Sequence, residues 1–339
     1  MIINNKEYNE FKRVYFIAEI GLNHNGSIDL AKKIIKKAAL CGADAVKFQK
    51  RNPEKLWTEE FLKRSYNNEN SFGQTYGEHK QFLEFNNEQY FELKEFANKF
   101  EVDFLVSAFD TENLDFCVKE LNVPAIKIPS PFVTHTQYLN HAIKYGLPIF
   151  LSTGMHNIEE IDCAVEILKK NKNDIVVMQC TSLYPAQDRD VNLRVLQTYK
   201  QRYNCLVGYS GHDNSVVISA IAASMGAVVI EKHFTLDRAM RGPDHASSLE
   251  QRGLDLTIKY IKSAIRCLGT NKKEVLEKEY ENRTKYCYSI KAKVDIKKGE
   301  LFTENNVVLK SPRNENTKNF YDLLGKKAEN NYKKDEDIK

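Results

Sequence analysis

From about residue 14 to residue 268, short apolar runs alternate with longer amphipathic stretches. The runs are VYFIAEIG (14–21), AVKFQ (45–49), DFLVSAF (103–109), AIKIPS (125–130), PIFLST (148–153), DIVVMQC (174–180), LVGYSGH (206–212) and VVIEKHF (228–234). They are continuously apolar rather than alternating, as parallel strands buried on both faces must be. The stretches between them, such as SIDLAKKIIKKAAL, NEQYFELKEFANKF and NIEEIDCAVEILKK, carry helical periodicity. In the last, Ile158, Ile161, Val165 and Leu168 recur every three or four residues. GAD, GLP and GAV precede several runs and read as helix C-caps. Eight such βα units predict a closed (β/α)8 TIM barrel. The competing α/β arrangement, a doubly wound open sheet, lacks support because no Gly-rich dinucleotide turn follows the first run.

Two segments break the rhythm. Residues 50–86 make a far longer connection than a βα loop usually needs, and they are rich in Asn, Lys, His and Tyr. At a barrel's catalytic face such a loop covers or shapes a site. After residue 268 the texture changes to a charged stretch and then short strand-like pieces, YSIKAKVDI, LFTENNVVLK and LLGKKAENNYKKDEDI. The domain reading is therefore a barrel over residues 1–270, a linker over 271–286 and a small β-rich domain over 287–339. So small a core is marginal alone, so the domain is expected to pack on a barrel, its own or a partner's.

Composition narrows the class. The net charge of +4 over 339 residues gives no case for nucleic acid. No run of about 18 apolar residues occurs, so no membrane span is expected. The polar start MIINNKEYNE has no apolar signal region, and the expected location is cytoplasmic. Seven cysteines without a CxxC spacing read as reduced thiols.

In a barrel of this kind, polar residues at strand C-termini read as catalytic. Here they are Glu19, Lys47, Gln49, Ser107, Lys127, Ser130, Ser152, Ser182, Ser210, His212, Glu231 and His233. His212 and His233 end adjacent strands and can share one divalent metal with positions left open, while Glu231 can orient a histidine or join the metal's shell. Two ammonium groups, Lys47 and Lys127, facing one mouth repel unless an anion lies between them, and a phosphate or carboxylate ligand is the expected occupant. A Schiff-base role for one lysine is the competing chemistry. Asp244, after the Gly242-Pro243 turn signal, can bind hydroxyls or act as a base.

The ordered set AEIGLNHNG (18–26), GADAVKFQ (42–49), KIPS (127–130), LSTGM (151–155), QCTSLYP (179–185), GYSGH (208–212), EKHFTLD (231–237) and RGPDHASSLE (241–250) resembles the sialic acid (nonulosonate) synthases. KAKVDIKKGELF followed by LLGK resembles that family's antifreeze-like, or SAF, domain. The resemblance implies condensation of phosphoenolpyruvate with an N-acylmannosamine-type sugar and release of phosphate. It implies that Lys47, Lys127, Ser107, Ser130, Ser152 and Ser182 hold phosphoenolpyruvate, and that His212 and His233 bind Mn²⁺ or Mg²⁺. Gln49, Tyr184 and Asp244 would contact the sugar, with Glu19 beside the reacting carbons. It also implies a homodimer with exchanged SAF domains.

Against that pattern the chain departs in places. Phe132 stands where many members carry an acidic residue, so that duty is lost or falls to Glu19 or Glu231. Gly211 and Ser182 replace an aspartate and an asparagine of many bacterial members. KSPR puts Ser311 in the place of an arginine, with Arg313 as its substitute. SFGQTYGEHKQFLEF (71–85) is closer to animal-type members, which use a 6-phosphorylated sugar, and Lys63, His79 and Lys80 are its candidate phosphate contacts. The alternatives are thus a 9-phosphate synthase, a Schiff-base lyase or aldolase, and a non-catalytic carbohydrate- or ice-binding protein.

Overall fold

The computed structural model describes residues 1–314 and 318–338. Eight parallel strands form one sheet: β1 (Tyr15–Gly21), β2 (Ala45–Lys50), β3 (Asp103–Ala108), β4 (Ile126–Ile128), β5 (Ile149–Ser152), β6 (Ile175–Cys180), β7 (Leu206–Gly211) and β8 (Ala227–His233). Their hydrogen-bonded order is β3-β2-β1-β8-β7-β6-β5-β4, so the last strand pairs with the first and the sheet curls into a barrel. All eight apolar runs become strands, and their limits move by no more than two residues at either end.

Side chains along a strand alternate between its faces, and this alternation builds the interior in layers. The lower layers are apolar: Tyr15 and Ile17, Ala45, Leu105, Ala125, Phe150, Val176 and Met178, Val228 and Val229 form one buried cluster. Two residues further along, the same face of most strands turns polar. Ile17 gives way to Glu19, Ala45 to Lys47, Leu105 to Ser107, Ala125 to Lys127, Phe150 to Ser152 and Val229 to Glu231. The barrel is therefore a packed plug below and a polar chamber above.

The plug has a stopper that the apolar pattern does not predict. Residues Ile2–Ile3 and Lys6–Glu7 pair as a short antiparallel hairpin. It places Ile3 and Tyr8 against the apolar layers, with the Tyr8 ring edge-on to Tyr15 at 5.0 Å. Fully burying a side chain of this size contributes about 1.5–3 kcal/mol. The outer layer is a second core between strands and helices. The helix Ile28–Leu40 buries Ala31, Ile34, Ile35 and Ala38 and starts on Ser27, whose hydroxyl accepts the Leu30 N–H. The helix Ile158–Leu168 opens on a reciprocal Asn157–Glu160 capping box.

Within the long connection after β2 lie three short helices, Pro53–Leu56, Glu59–Leu62 and Tyr76–Phe82. The chain divides into two units, Met1–Gly269 and Thr270–Lys339. The stretch read as a linker falls in the second unit, where Tyr280–Tyr286 is helical. That unit has its own small core around Ile290, Phe302, Val307 and Leu323, a two-stranded antiparallel ladder (Ser289–Ala292 with Val307–Lys310) and isolated bridges such as Ile296–Tyr332. No helix among the described residues is long and apolar enough to cross a membrane.

Candidate active site

The polar chamber opens at the C-terminal ends of the strands as a cavity of about 310 Å³. At its base is a buried charge cluster. Lys47 Nζ lies 2.7 Å from Glu19 Oε2 and donates to Ser107 Oγ at 2.9 Å. Lys127 Nζ donates to Ser152 Oγ at 2.8 Å. The two ammonium groups lie at the same distance, 3.6 Å, from one oxygen, Glu231 Oε1. The anion between the lysines is thus a carboxylate of the chain itself. Glu231, read from the sequence as orienting a histidine or joining a metal's shell, here faces the two lysines.

Those two 3.6 Å contacts are too long for good hydrogen bonds, and Glu231 Oε2 has no hydrogen-bond partner. The lysines are compensated but not saturated, and the Ser107 and Ser152 hydroxyl protons remain free to donate. Burial opposes charge on both lysines. Glu19 and Glu231 together overcome it for Lys47, whose pKa is raised. For Lys127 burial, joined by the Lys47 charge, outweighs the pull of Glu231, and its pKa falls. Burial likewise works against Glu231, but Lys127 and Lys47 pull its pKa below the ordinary carboxylate range.

On the other side of the chamber, the His212 and His233 rings lie 5.4 Å apart. His212 Nδ1 bonds the Thr181 carbonyl at 2.8 Å. That bond leaves Nε2 as the lone-pair nitrogen, which faces the Tyr184 hydroxyl at 3.1 Å. Tyr184 stacks on His212 and is about half exposed at the rim. His233 Nδ1 is buried without a hydrogen-bond partner, and burial lowers its pKa. Burial works against charge on His212, but Cys180 outweighs it and raises its pKa. In their neutral forms the two imidazoles offer His233 Nδ1 and, once Tyr184 turns aside, His212 Nε2 to a divalent ion. Among the described residues no group of three or more His, Cys, Asp or Glu completes a cage, so most of the coordination would fall to water and substrate oxygens.

Two loops clasp the mouth above these histidines. Leu22 N–H donates to Asp244 Oδ2 at 3.2 Å, and Asn23 Nδ2 donates to both the Phe234 carbonyl and Ser248 Oγ. Gly21 has φ +55°, and a Cβ there would lie 2.8 Å from Asp244 Oδ2 and 3.1 Å from His233 Cε1. AEIGLNHNG and RGPDH are therefore two halves of one clasp, and only glycine at 21 lets them meet. His24 is wholly buried beneath it, on the Phe85 ring at 4.2 Å.

Most of the residues read from the sequence line this one cavity: Glu19, Lys47, Gln49, Ser107, Lys127, Ser130, Ser152, Ser182, Tyr184, His212, Glu231, His233 and Asp244. Gln49 Nε2 donates to Glu19 Oε1 at 2.6 Å. Ser130 Oγ accepts the Gly154 N–H at 2.9 Å. Arg313 lies in the second unit, where its N–H bonds the Thr284 carbonyl. Phe132 is buried against Tyr138, Phe109 and His135, so its position here serves packing. A Cβ on Gly211 would fall 2.5 Å from the Tyr209 ring and 2.7 Å from Asp213 Oδ2, which leaves no room for an aspartate.

Of the three candidate phosphate contacts in the long loop, only Lys80 reaches the cavity. Lys63 pairs with Glu59 on the surface. His79 is buried, accepts the Phe72 N–H on Nδ1 and is held neutral mainly by burial, with a pKa of about 4. Lys80 lies over the Tyr76 ring at 5.2 Å, and burial and Arg51 lower its pKa to about 8.

Arg51 and Cys180 also line the cavity and were missed as site residues. Both were within reach of the alternation rule. Arg51 continues Lys47 and Gln49, and Cys180 continues Val176 and Met178. Cys180 Sγ lies 3.7 Å from Ser130 Oγ and 3.9 Å from His212 Nδ1. Burial works against its thiolate, yet His212, Ser130 and Lys127 hold the pKa at about 7.

Fold and chamber together define a β/α-barrel enzyme with its site at the C-terminal ends of the strands. Residues 34–273 match the NeuB family, and the chain belongs to it. It is 39% identical over 338 residues to the N,N'-diacetyllegionaminic acid synthase of Campylobacter jejuni, covering 97% of this chain and 99% of that protein. It is 38% identical over 317 residues to the N-acetylneuraminate-9-phosphate synthase of Homo sapiens, covering 93% and 88%. Among solved structures, the N-acetylneuraminic acid synthetase of Leptospira borgpetersenii, in complex with citrate, is similar with a TM-score of 0.73 and 33% identity, covering 83% of this chain and 94% of that one.

The buried histidine under the clasp gives a pH prediction. His24 has a folded pKa of about 3, chiefly because burial disfavours its charge, against an ordinary 6.5. Between those values the unfolded chain binds a proton that the folded chain does not. The stability is therefore present above pH 6.5 and lost as pH falls toward 3. Urea unfolding across this range should show His24→Phe losing less stability on acidification than the parent. An equal loss in both would remove His24 as the cause.

Proposed function

We propose that the chain condenses phosphoenolpyruvate with N-acetylmannosamine or a close derivative, forming a sialic acid-type nonulosonate and releasing phosphate. The observation that carries this reading is the Lys47–Glu231–Lys127 cluster, ringed by serine hydroxyls and facing two imidazoles across one chamber. Lys47 and Lys127 bind the phosphoenolpyruvate anion, with Ser107, Ser130, Ser152 and Ser182 donating to it. Fixed charges of this kind act strongly in a chamber that excludes water. Gln49, Tyr184 and Asp244 orient the open-chain sugar.

His212 and His233 would hold a divalent ion, Mn²⁺ or Mg²⁺, whose chemistry when bound is to polarise the sugar aldehyde. C3 of phosphoenolpyruvate forms the new bond to the aldehyde carbon, and the alkoxide takes up a proton. Water adds at C2 and gives up a proton to Glu19 or Glu231, the carboxylates beside Lys47. The C2–O bond to phosphate then breaks as the C2 hydroxyl passes its proton to the departing phosphate and becomes the ketone, and the lysines carry the charge of that phosphate. Phe132 contributes nothing to this proton transfer, which leaves the two glutamates to perform it.

The sugar's far end is read from the rim. Lys80 adds positive charge there, beside an Arg51 already paired with Glu84 at 3.2 Å, and this charge favours a 6-phosphorylated sugar as the second reading. We further assign the active form to a homodimer. The second unit, read as an SAF domain, would cover the partner's chamber and bring Arg313 to the sugar. Co-folding Arg313→Ala with Lys127→Met chains should then restore activity that each variant lacks alone. No restoration would dismiss the exchange.

One assay checks the chemistry and the sugar together. Phosphoenolpyruvate-dependent phosphate release should require an N-acylmannosamine and stop with chelator. In H₂¹⁸O the label should enter the nonulosonate and leave the phosphate unlabelled. Labelled phosphate would overturn C–O cleavage. Run with N-acetylmannosamine, its 6-phosphate and the 2,4-diacetamido analogue, the assay identifies the sugar. Lys80→Met should raise KM about tenfold for a phosphorylated sugar, on the order of the 1.5–3 kcal/mol of a charged hydrogen bond. It should leave KM for the unphosphorylated sugars unchanged.

A further inference from the structure

His212 sits just past the end of its strand, while His233 is still paired with Glu19 of β1. The β7–β8 ladder ends at the Gly211–Lys232 pair, one residue short of His212 and His233. Beyond that point the chain after β7 is held by the Ala186 N–H, which donates to the His212 carbonyl at 3.1 Å, and by side chains. Lys232 points to the opposite face from Glu231 and His233, as strand alternation requires. It is completely buried there and meets a completely buried carboxylate, Asp213, at 2.8 Å. Its ammonium group also donates to the backbone carbonyl of Asp213. Asp213 accepts in addition from the Tyr209 hydroxyl and from the Ser215 N–H at 2.9 Å. The residue that follows His212 is thus tied, through side chain and main chain alike, to the residue between Glu231 and His233. The same tie fills the space a side chain on Gly211 would need.

A buried ion pair is an expensive way to gain stability, because apolar side chains of similar volume often do as well. What it gives instead is direction and separation. We infer that Lys232 and Asp213 are positioning residues, a clamp that sets the separation and orientation of the His212 and His233 imidazoles. The inference rests on the proposed metal-binding role of that pair. Neither clamp residue lines the cavity, so the effect on substrate is indirect. Phosphoenolpyruvate binding depends on lysines from β2 and β4, whose contacts to Ser107 and Ser152 do not involve the clamp.

The test uses the full chain and Mn²⁺ alone as probe, titrated by electron paramagnetic resonance. The double variant Lys232→Met with Asp213→Asn removes both charges together, and its folding is checked by circular dichroism and thermal melting. When it is folded, the clamp predicts Mn²⁺ affinity weaker by about tenfold or more, as for other groups that orient metal ligands. It also predicts a similar fall in kcat, with KM for phosphoenolpyruvate unchanged. The His212 and His233 side-chain NMR signals, assigned among the eight histidines by His→Gln variants, should shift or broaden without metal. A folded variant with Mn²⁺ affinity within twofold of the parent and unmoved imidazole signals overturns the clamp. If the double variant does not fold, Tyr209→Phe, which removes one bond to Asp213, decides by the same measurements, with about a threefold loss of affinity expected. If the parent binds no Mn²⁺, the metal reading fails on its own, and the imidazole signals still decide the clamp.

Discussion

Everything at the mouth of this barrel depends on one buried arrangement, two lysines held apart by a glutamate that satisfies neither. Lys47 and Lys127 would repel each other in a dry chamber, where charges are poorly screened. Glu231 makes their approach tolerable at 3.6 Å from each, and Glu19 adds a closer contact to Lys47. Removing one partner of such a set costs about 3–5 kcal/mol, because it leaves an uncompensated buried charge. The cluster is thus preassembled for an anion without being saturated by the protein. A ligand with several anionic oxygens can complete the hydrogen bonds that Glu231 leaves long.

The fold brings these groups together by a simple rule. Most strands contribute an apolar residue to the plug and, two positions on, a polar residue to the chamber. Parallel register places Glu19 beside Lys47 on one side and beside His233 on the other. The clasp between the loops after β1 and β8 then fixes the histidine side of the chamber, with Gly21 as the point of closest approach. Packing energy comes from below the chamber and between strands and helices. The polar layer can therefore be arranged for chemistry rather than for stability.

Much of this was legible in the sequence because a buried parallel strand announces itself as a continuous apolar run. Its last polar residue then marks the mouth. Lys47, Lys127, His212 and His233 were found that way. What stayed hidden follows from interactions that no local pattern encodes. Glu231 was read as serving a histidine or the metal's shell, and the reading missed that alternation and register also aim it at lysines from other strands. His79 looked like a phosphate contact because it is polar and in a loop, yet it is buried against Tyr66 and Phe72. The N-terminal hairpin was invisible because two strands of two residues have no period. Arg51 and Cys180 were readable, since each simply extends an alternation already traced.

The lysine pair is the proposed seat of phosphoenolpyruvate, and calorimetric titration of that compound into the folded protein tests it directly. Lys127→Met keeps the stem of the side chain and removes the charge. Phosphoenolpyruvate should bind the parent, and the folded variant at least about tenfold more weakly, the scale of a lost charged hydrogen bond. Equal affinity in the two proteins would contradict the central claim.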